Sequence, residues 1–129
     1  MTNKLLETCL TIARHYLPKH SRADGYKHYS FIIQKNQLIE WATNRSGPPI
    51  MYLGYKNHQM IHSETQAYKK AKGLLHKESF EVINIRLNSK GELKISKPCH
   101  CCTVFLRNLG CRTIWFSQSY ENIFSKVIL

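Results

Sequence analysis

The sequence predicts an α/β domain with helices packed on a sheet, and three observations predict it. The 129 residues suffice for one core, so one domain is expected. Hydrophobic residues are 43% and charged residues 21%, the balance of a soluble globular chain rather than a disordered one. Stretches with helical period alternate with β-rich runs, in the order helix, hairpin, helix, strand, helix, strand. No repeat, low-complexity tract or linker divides the chain, so residues 1–129 read as a single domain.

Each element has its own local reason. In residues 4–17, Leu5, Leu6, Cys9, Leu10, Ala13, Tyr16 and Leu17 fall on one stripe, and Pro18 is expected to end that helix. YSFIIQ reads as a strand, KNQ as a turn and LIEWATN as the returning strand. RSGPPIMYLGYKNHQM carries the Gly and Pro punctuation of a loop. A helix is expected from near His62, with Ala67, Ala71, Leu74 and Leu75 facing inward. FEVINIRL is a third strand, closed by the turn NSKG. The next helix is expected to begin at Pro98, where proline has no amide partner to lose, and to end at Gly110 as a cap. RTIWFS is a fourth strand. After it, NIFSKVI fits an antiparallel last strand, although Ile123, Phe124, Val127 and Ile128 also fall at helical spacing.

Composition restricts location and partners. No apolar run reaches membrane-spanning length, so no membrane partner is expected. The opening MTNKLLETCLTIARHYLPKH has no long apolar region of a secretory signal, which points to a cytoplasmic, reducing setting. There, five cysteines serve as metal ligands or reactive groups more often than as disulfides. Nineteen Lys and Arg against eight Asp and Glu leave a formal charge of +11, which favours a polyanionic partner. The basic residues are scattered along the chain, and their convergence on one face cannot be read from the order alone.

Two short motifs carry the chemistry. His62 and Glu64 lie two residues apart at a helix start, a pattern that means little by itself. Cys99 and Cys102 in KPCHCC lie three apart at another helix start, so both sulfurs can reach one ion. A helix N-terminus and a cation both favour thiolates, the form that binds metal. One imidazole and two thiolates make a three-ligand zinc site with an open fourth position, the arrangement of a catalytic zinc. Glu64 would lie near the ion without serving as a ligand, placed to take a proton from water and return it to a leaving group.

H-x-E followed by P-C-x-x-C resembles the signature of the cytidine deaminase superfamily. The resemblance implies a three-layer α/β/α sandwich, with a mixed sheet of about five strands and the zinc site at the N-termini of two helices. It implies zinc as cofactor, His62, Cys99 and Cys102 as its ligands, and Glu64 as the catalytic proton carrier. The expected reaction is hydrolytic conversion of cytosine to uracil, with adenine the second base used in that superfamily. Asn44 is similar to the asparagine that family members use to hold sugar or base. Arg45 beside it and Lys97 beside the cysteine motif are candidates for phosphate contacts. Phe116 is a candidate base contact, although it and Trp115 read first as strand core. An antiparallel last strand resembles the cytidine deaminase and bacterial toxin-deaminase branches, and Gln66 looks like the glutamine of H-x-E-x-Q in the latter. Lys97 stands where the AID/APOBEC-like pattern has Trp-Ser before Pro-Cys.

Three readings follow. The charge favours cytosine deamination in single-stranded nucleic acid, DNA ahead of RNA. Small size favours a deaminase of free cytidine, deoxycytidine or deoxycytidylate. A zinc knot that only stabilises a binding module, with Cys101, His100 or His58 as fourth ligand, has no use for Glu64. Cys101 and His100 lie between the paired cysteines and should point elsewhere on the helix, while Cys9 and Cys111 read as small packing residues.

Overall fold

The computed structural model describes residues 3–20, 26–46, 50–52, 55–57, 60–119 and 124–129. Helix α1 (Asn3–His20) is followed by the hairpin β1 (Tyr26–Gln34) and β2 (Gln37–Thr43). Four short strands come next: β3 (Arg45–Ser46), β4 (Ile50–Tyr52), β5 (Tyr55–Asn57) and β6 (Met60–Ile61). The rest is α2 (Ser63–Ala71), β7 (Phe80–Asn88), β8 (Leu93–Lys94), α3 (His100–Asn108), β9 (Cys111–Ser117) and β10 (Phe124–Ile128). The result is a mixed α/β fold with three helices among the described residues.

The main sheet has six strands, where about five were expected. Its order is β10-β9-β7-β1-β2, with β8 paired to the end of β7. Only β7 and β9 run parallel; every other pair in it is antiparallel. A parallel pair needs a crossover, and α3 supplies it. The last strand is antiparallel to β9, as expected in preference to a helix. Two residues turn the first hairpin, Lys35 at φ 53° and Asn36 at φ 58°, the signature of a type I′ turn.

Alternation on the central strands makes two cores. Tyr29, Phe31 and Ile33 of β1 and Ile83, Ile85 and Leu87 of β7 pack with Cys9, Leu10, Ala13 and Leu17 of α1. Their neighbours Ile32 and Val82 point the other way, against Ala67 and Ala71 of α2 and Phe105 and Leu106 of α3. Helices therefore cover both faces, an arrangement compatible with an α/β sandwich. Each fully buried Ile, Leu or Phe contributes about 1.5–3 kcal/mol relative to exposure.

Some sequence expectations require correction. Helix α1 runs through Pro18 to His20, because proline's fixed φ is helical and only the last turn lies beyond it. Helix α2 ends at Ala71, so position 74 leaves the inward stripe and Leu74 is 58% exposed. Helix α3 begins at His100 rather than Pro98, with Cys99 as its N-cap. The segment expected to be a loop contains two short antiparallel pairs, β3 with β6 and β4 with β5. No helix is long and apolar enough to cross a membrane among the described residues.

Candidate metal centre

Two helix starts meet at one end of the sheet. His62 is the N-cap of α2, in extended backbone (φ −70°, ψ 144°), and its side chain makes no capping bond. The helix starts at the His62 carbonyl, which accepts the first helical bond from Gln66 N and a second from Thr65 Oγ1 at 2.9 Å. That leaves the imidazole for the cysteines. Cys99 caps α3, its sulfur accepting from Cys102 N at 3.4 Å. The segment before it is pinned by Ser96, whose backbone N donates to the Ser117 carbonyl at 3.0 Å. Ser96 Oγ donates to the Asn84 carbonyl at 2.8 Å and also lies 2.8 Å from Ser117 Oγ. Strands β7 and β9 thereby fix where the cysteine helix starts.

The resulting donor set fits a metal ion. His62 Nδ1 lies 3.1 Å from Cys102 Sγ and 3.6 Å from Cys99 Sγ, and the three ligand atoms lie within 4.8 Å of one another. Tetrahedral zinc with Zn–N of about 2.0–2.1 Å and Zn–S of about 2.3 Å requires N···S and S···S edges of about 3.6 and 3.8 Å. Hydrogen bonds from the Cys102 thiol and His62 bring Cys99 down to about 4, while that thiol contact and burial push Cys102 up. His62 is raised, chiefly by its hydrogen bond to Cys99. A dication bound by these donors would displace the protons that they carry.

Glu64, in the first turn of α2, is buried at 7% exposure. Burial raises its pKa above the usual carboxylate range. Its Oε2 accepts from Asn84 Nδ2 at 3.1 Å and its Oε1 from Ser63 Oγ at 3.3 Å.

Beside the cluster opens a cavity of about 240 Å³, lined by His28, Asn44, His62, Ser63, Glu64, Ser96, Lys97 and Cys99. It is smaller than the roughly 300–1,000 Å³ typical of drug-sized ligand sites. Asn44 Oδ1 accepts from the His28 backbone N–H at 3.1 Å, so its NH₂ group is what the amide offers to the cavity. Lys97 is exposed at the rim. His28 is held neutral, its pKa lowered to about 4 by burial and then by the charges of Arg86, His62 and Lys27.

Five sequence-chosen residues line one cavity: His62, Glu64, Cys99, Asn44 and Lys97. Cys102 completes the donor set from below, 1% exposed. The backbone of Arg45 pairs with Ile61, one residue from His62. Phe116 does not line the cavity; it is buried on β9, in register with Asn84. Trp115 packs partly buried against the α1 core, as expected of strand core. His100 and Cys101 are exposed outside the donor set, and His58 lies outside the described residues. Cys9 and Cys111 are buried thiols pushed up to about 12, suited to packing. Sequence reasoning missed His28, Ser30, Asn84 and Ser96. The available signal was polarity: Ser30 stands between Tyr29 and Phe31 and Asn84 between Ile83 and Ile85, at strand centres where an uncompensated polar group is costly.

The mixed sheet and the His/Cys/Cys group are compatible with a zinc-binding deaminase fold. No protein-family model matches the chain, and no curated protein does either.

Proposed function

We propose that the protein is a zinc-dependent hydrolytic deaminase that converts cytosine to uracil in single-stranded nucleic acid. The observation that carries this reading is the buried Glu64 in one cavity with His62 and Cys99, whose donor set Cys102 completes. A purely structural metal knot needs no carboxyl there, and burying one is costly.

His62 Nδ1, Cys99 Sγ and Cys102 Sγ would hold the zinc, which when bound supplies Lewis acidity to water. Glu64 takes the proton that water gives up on a carboxylate oxygen and delivers it to the pyrimidine ring nitrogen. The oxygen nucleophile adds to the carbon bearing the amine. The same carboxyl then carries the second proton to the departing amine, so that cytosine and water yield uracil and ammonia. Asn44 offers its NH₂ group to the substrate. The small cavity suits one base.

Charge supports the polynucleotide. Arg86 pairs in register with His28 on one side and Lys94 on the other, and Lys97 stands at the rim. Lys97 puts positive charge at the cavity itself, where phosphates beside an inserted base would pass, and Arg86 and Lys94 lie on strands β7 and β8 nearby in register with His28. Not all of the +11 gathers there: Lys35 pairs with Glu78 and Lys70 with Glu40.

The test is incubation of the zinc-loaded protein with single-stranded DNA, single-stranded RNA, cytidine and deoxycytidylate, scoring uracil in each. Uracil in the single strands supports the reading. Turnover of free nucleoside or nucleotide with inert oligonucleotides assigns nucleotide metabolism instead, and no uracil anywhere leaves a zinc-stabilised binding module.

A further inference from the structure

Behind Glu64, three elements close a ring of polar side chains. Asn84 Nδ2 donates to Glu64 Oε2 at 3.1 Å, and Ser63 Oγ lies 3.3 Å from Glu64 Oε1. Ser63 Oγ and Ser30 Oγ are 2.7 Å apart, and Ser30 Oγ donates to Asn84 Oδ1 at 2.7 Å. All four residues are buried: Ser30 at 0% exposure, Ser63 at 2%, Asn84 at 4% and Glu64 at 7%. Ser30 and Asn84 are cross-strand partners at the centre of the sheet, on the face that carries Ile32 and Val82 one step further along.

Polar groups in that position stabilise the sheet less than an apolar pair would, unless they serve something else. Their arrangement shows what they touch. Asn84 is anchored through its oxygen by Ser30, which fixes which way its NH₂ points, and that NH₂ holds one carboxylate oxygen. Ser30 contacts Ser63, which lies beside the other oxygen. One end of the carboxyl is therefore tied to the sheet through Asn84, although Glu64 itself sits on α2.

We propose that Ser30 and Asn84 are positioning residues for Glu64, setting the rotation of its carboxyl so that it faces the cavity beside the metal donors. The inference rests on the reading of Glu64 as proton carrier. A carboxyl that must meet three proton positions in one turnover tolerates little rotation, and fixed hydrogen bonds supply that restraint at no reorganisation cost.

The test compares Ser30→Ala, Asn84→Ala and the hydroxyl-retaining Ser30→Thr with wild type, all zinc-loaded. Both alanine variants should keep one zinc per chain, with KM close to wild type and kcat lowered by about 10–100-fold, the usual effect of removing an outer-shell partner. Ser30→Thr should recover most of the loss. A second readout does not need turnover: glutamate ¹³Cδ NMR, with the Glu64 resonance identified by its loss in Glu64→Gln. That resonance should move in both alanine variants. Wild-type turnover with kcat unchanged in Ser30→Ala, or an unmoved Glu64 resonance, overturns the proposal, and Ser30→Ala suffices if Asn84→Ala does not fold. If wild type deaminates nothing while the resonance moves, the failure lies in the catalytic reading of Glu64, and the positioning role falls with it.

Discussion

The ring nitrogen Nδ1 of His62 stands 3.1 Å from the sulfur of Cys102, a residue forty positions further along the chain. Two helix N-termini converge to make that contact, and a cation between them would tie α2 to α3. Zinc bound there would therefore contribute to folding as well as to chemistry. Metal analysis should find one zinc per chain in wild type and loss of it in His62→Ala and Cys99→Ala, with a lower melting temperature in both. Full occupancy in both variants would reject this donor set.

Glu64→Gln should separate metal from chemistry. The side chain keeps its size and one hydrogen-bonding oxygen but can no longer carry a proton. Zinc content should hold at wild-type level while kcat falls by about 10²–10⁴-fold, the usual worth of general acid–base catalysis. Near-normal turnover would make Glu64 a buried bystander.

For a polynucleotide substrate, salt is the diagnostic. Binding to a single-stranded oligonucleotide should weaken with salt at a log–log slope of about −0.7 per phosphate contact. Lys97→Ala should make that slope shallower by about one contact and leave zinc bound. A complementary strand should suppress conversion, because the base must leave the stack to enter the cavity. Rates indifferent to both would point to a small free substrate.

His28 gives a pH prediction on stability. In the folded protein it stays neutral down to about 4, whereas in the unfolded chain it takes a proton below its ordinary 6.5. Between those values the unfolded state binds more protons, so stability falls as pH falls, by up to about 1.4 kcal/mol per pH unit. Urea unfolding at pH 7 and pH 5 should show a larger loss for wild type than for His28→Phe. Equal losses in the two proteins would mean that His28 is charged in the folded state.

The first hairpin offers a stabilising change. Lys35 and Asn36 both hold positive φ, a strained choice for lysine. The double change Lys35→Asn with Asn36→Gly installs the favoured residues for this turn and should add on the order of 1 kcal/mol. The Lys35–Glu78 pair it removes spans 3.6 Å between two exposed side chains and contributes little. Thermal melting should rise by a few degrees, and a fall would show that the turn strain is relieved elsewhere.

Legibility followed the range of the forces involved. The central strands and the three helices were readable because their apolar residues recur at period 2 or 3.6, a local signal. His62, Glu64, Cys99 and Cys102 were readable because metal chemistry restricts residue type and spacing within each motif. Ser30 and Asn84 were not: their partners lie 20 to 54 residues away, so only strand register and helix docking bring them together. The end of α1, the exposure of Leu74 and the short strands β3 to β6 depended on weak local preferences that the surrounding chain decided.

Strand β10 closes one side of the sheet, and among the described residues no strand pairs with its outer rim, a row of backbone groups that another chain could match. The strand is five residues long with Lys126 at its centre, exposed and lying 5.2 Å from the centroid of the Trp115 ring. Two copies meeting rim to rim around a two-fold axis would bring Lys126 opposite its own counterpart. Like charges facing each other across an antiparallel pair are destabilising. The exposed Ile128 near one end would otherwise favour such growth. A single lysine at the midpoint thus disfavours ribbon-like growth in that register, at a border that would otherwise present five residues for pairing.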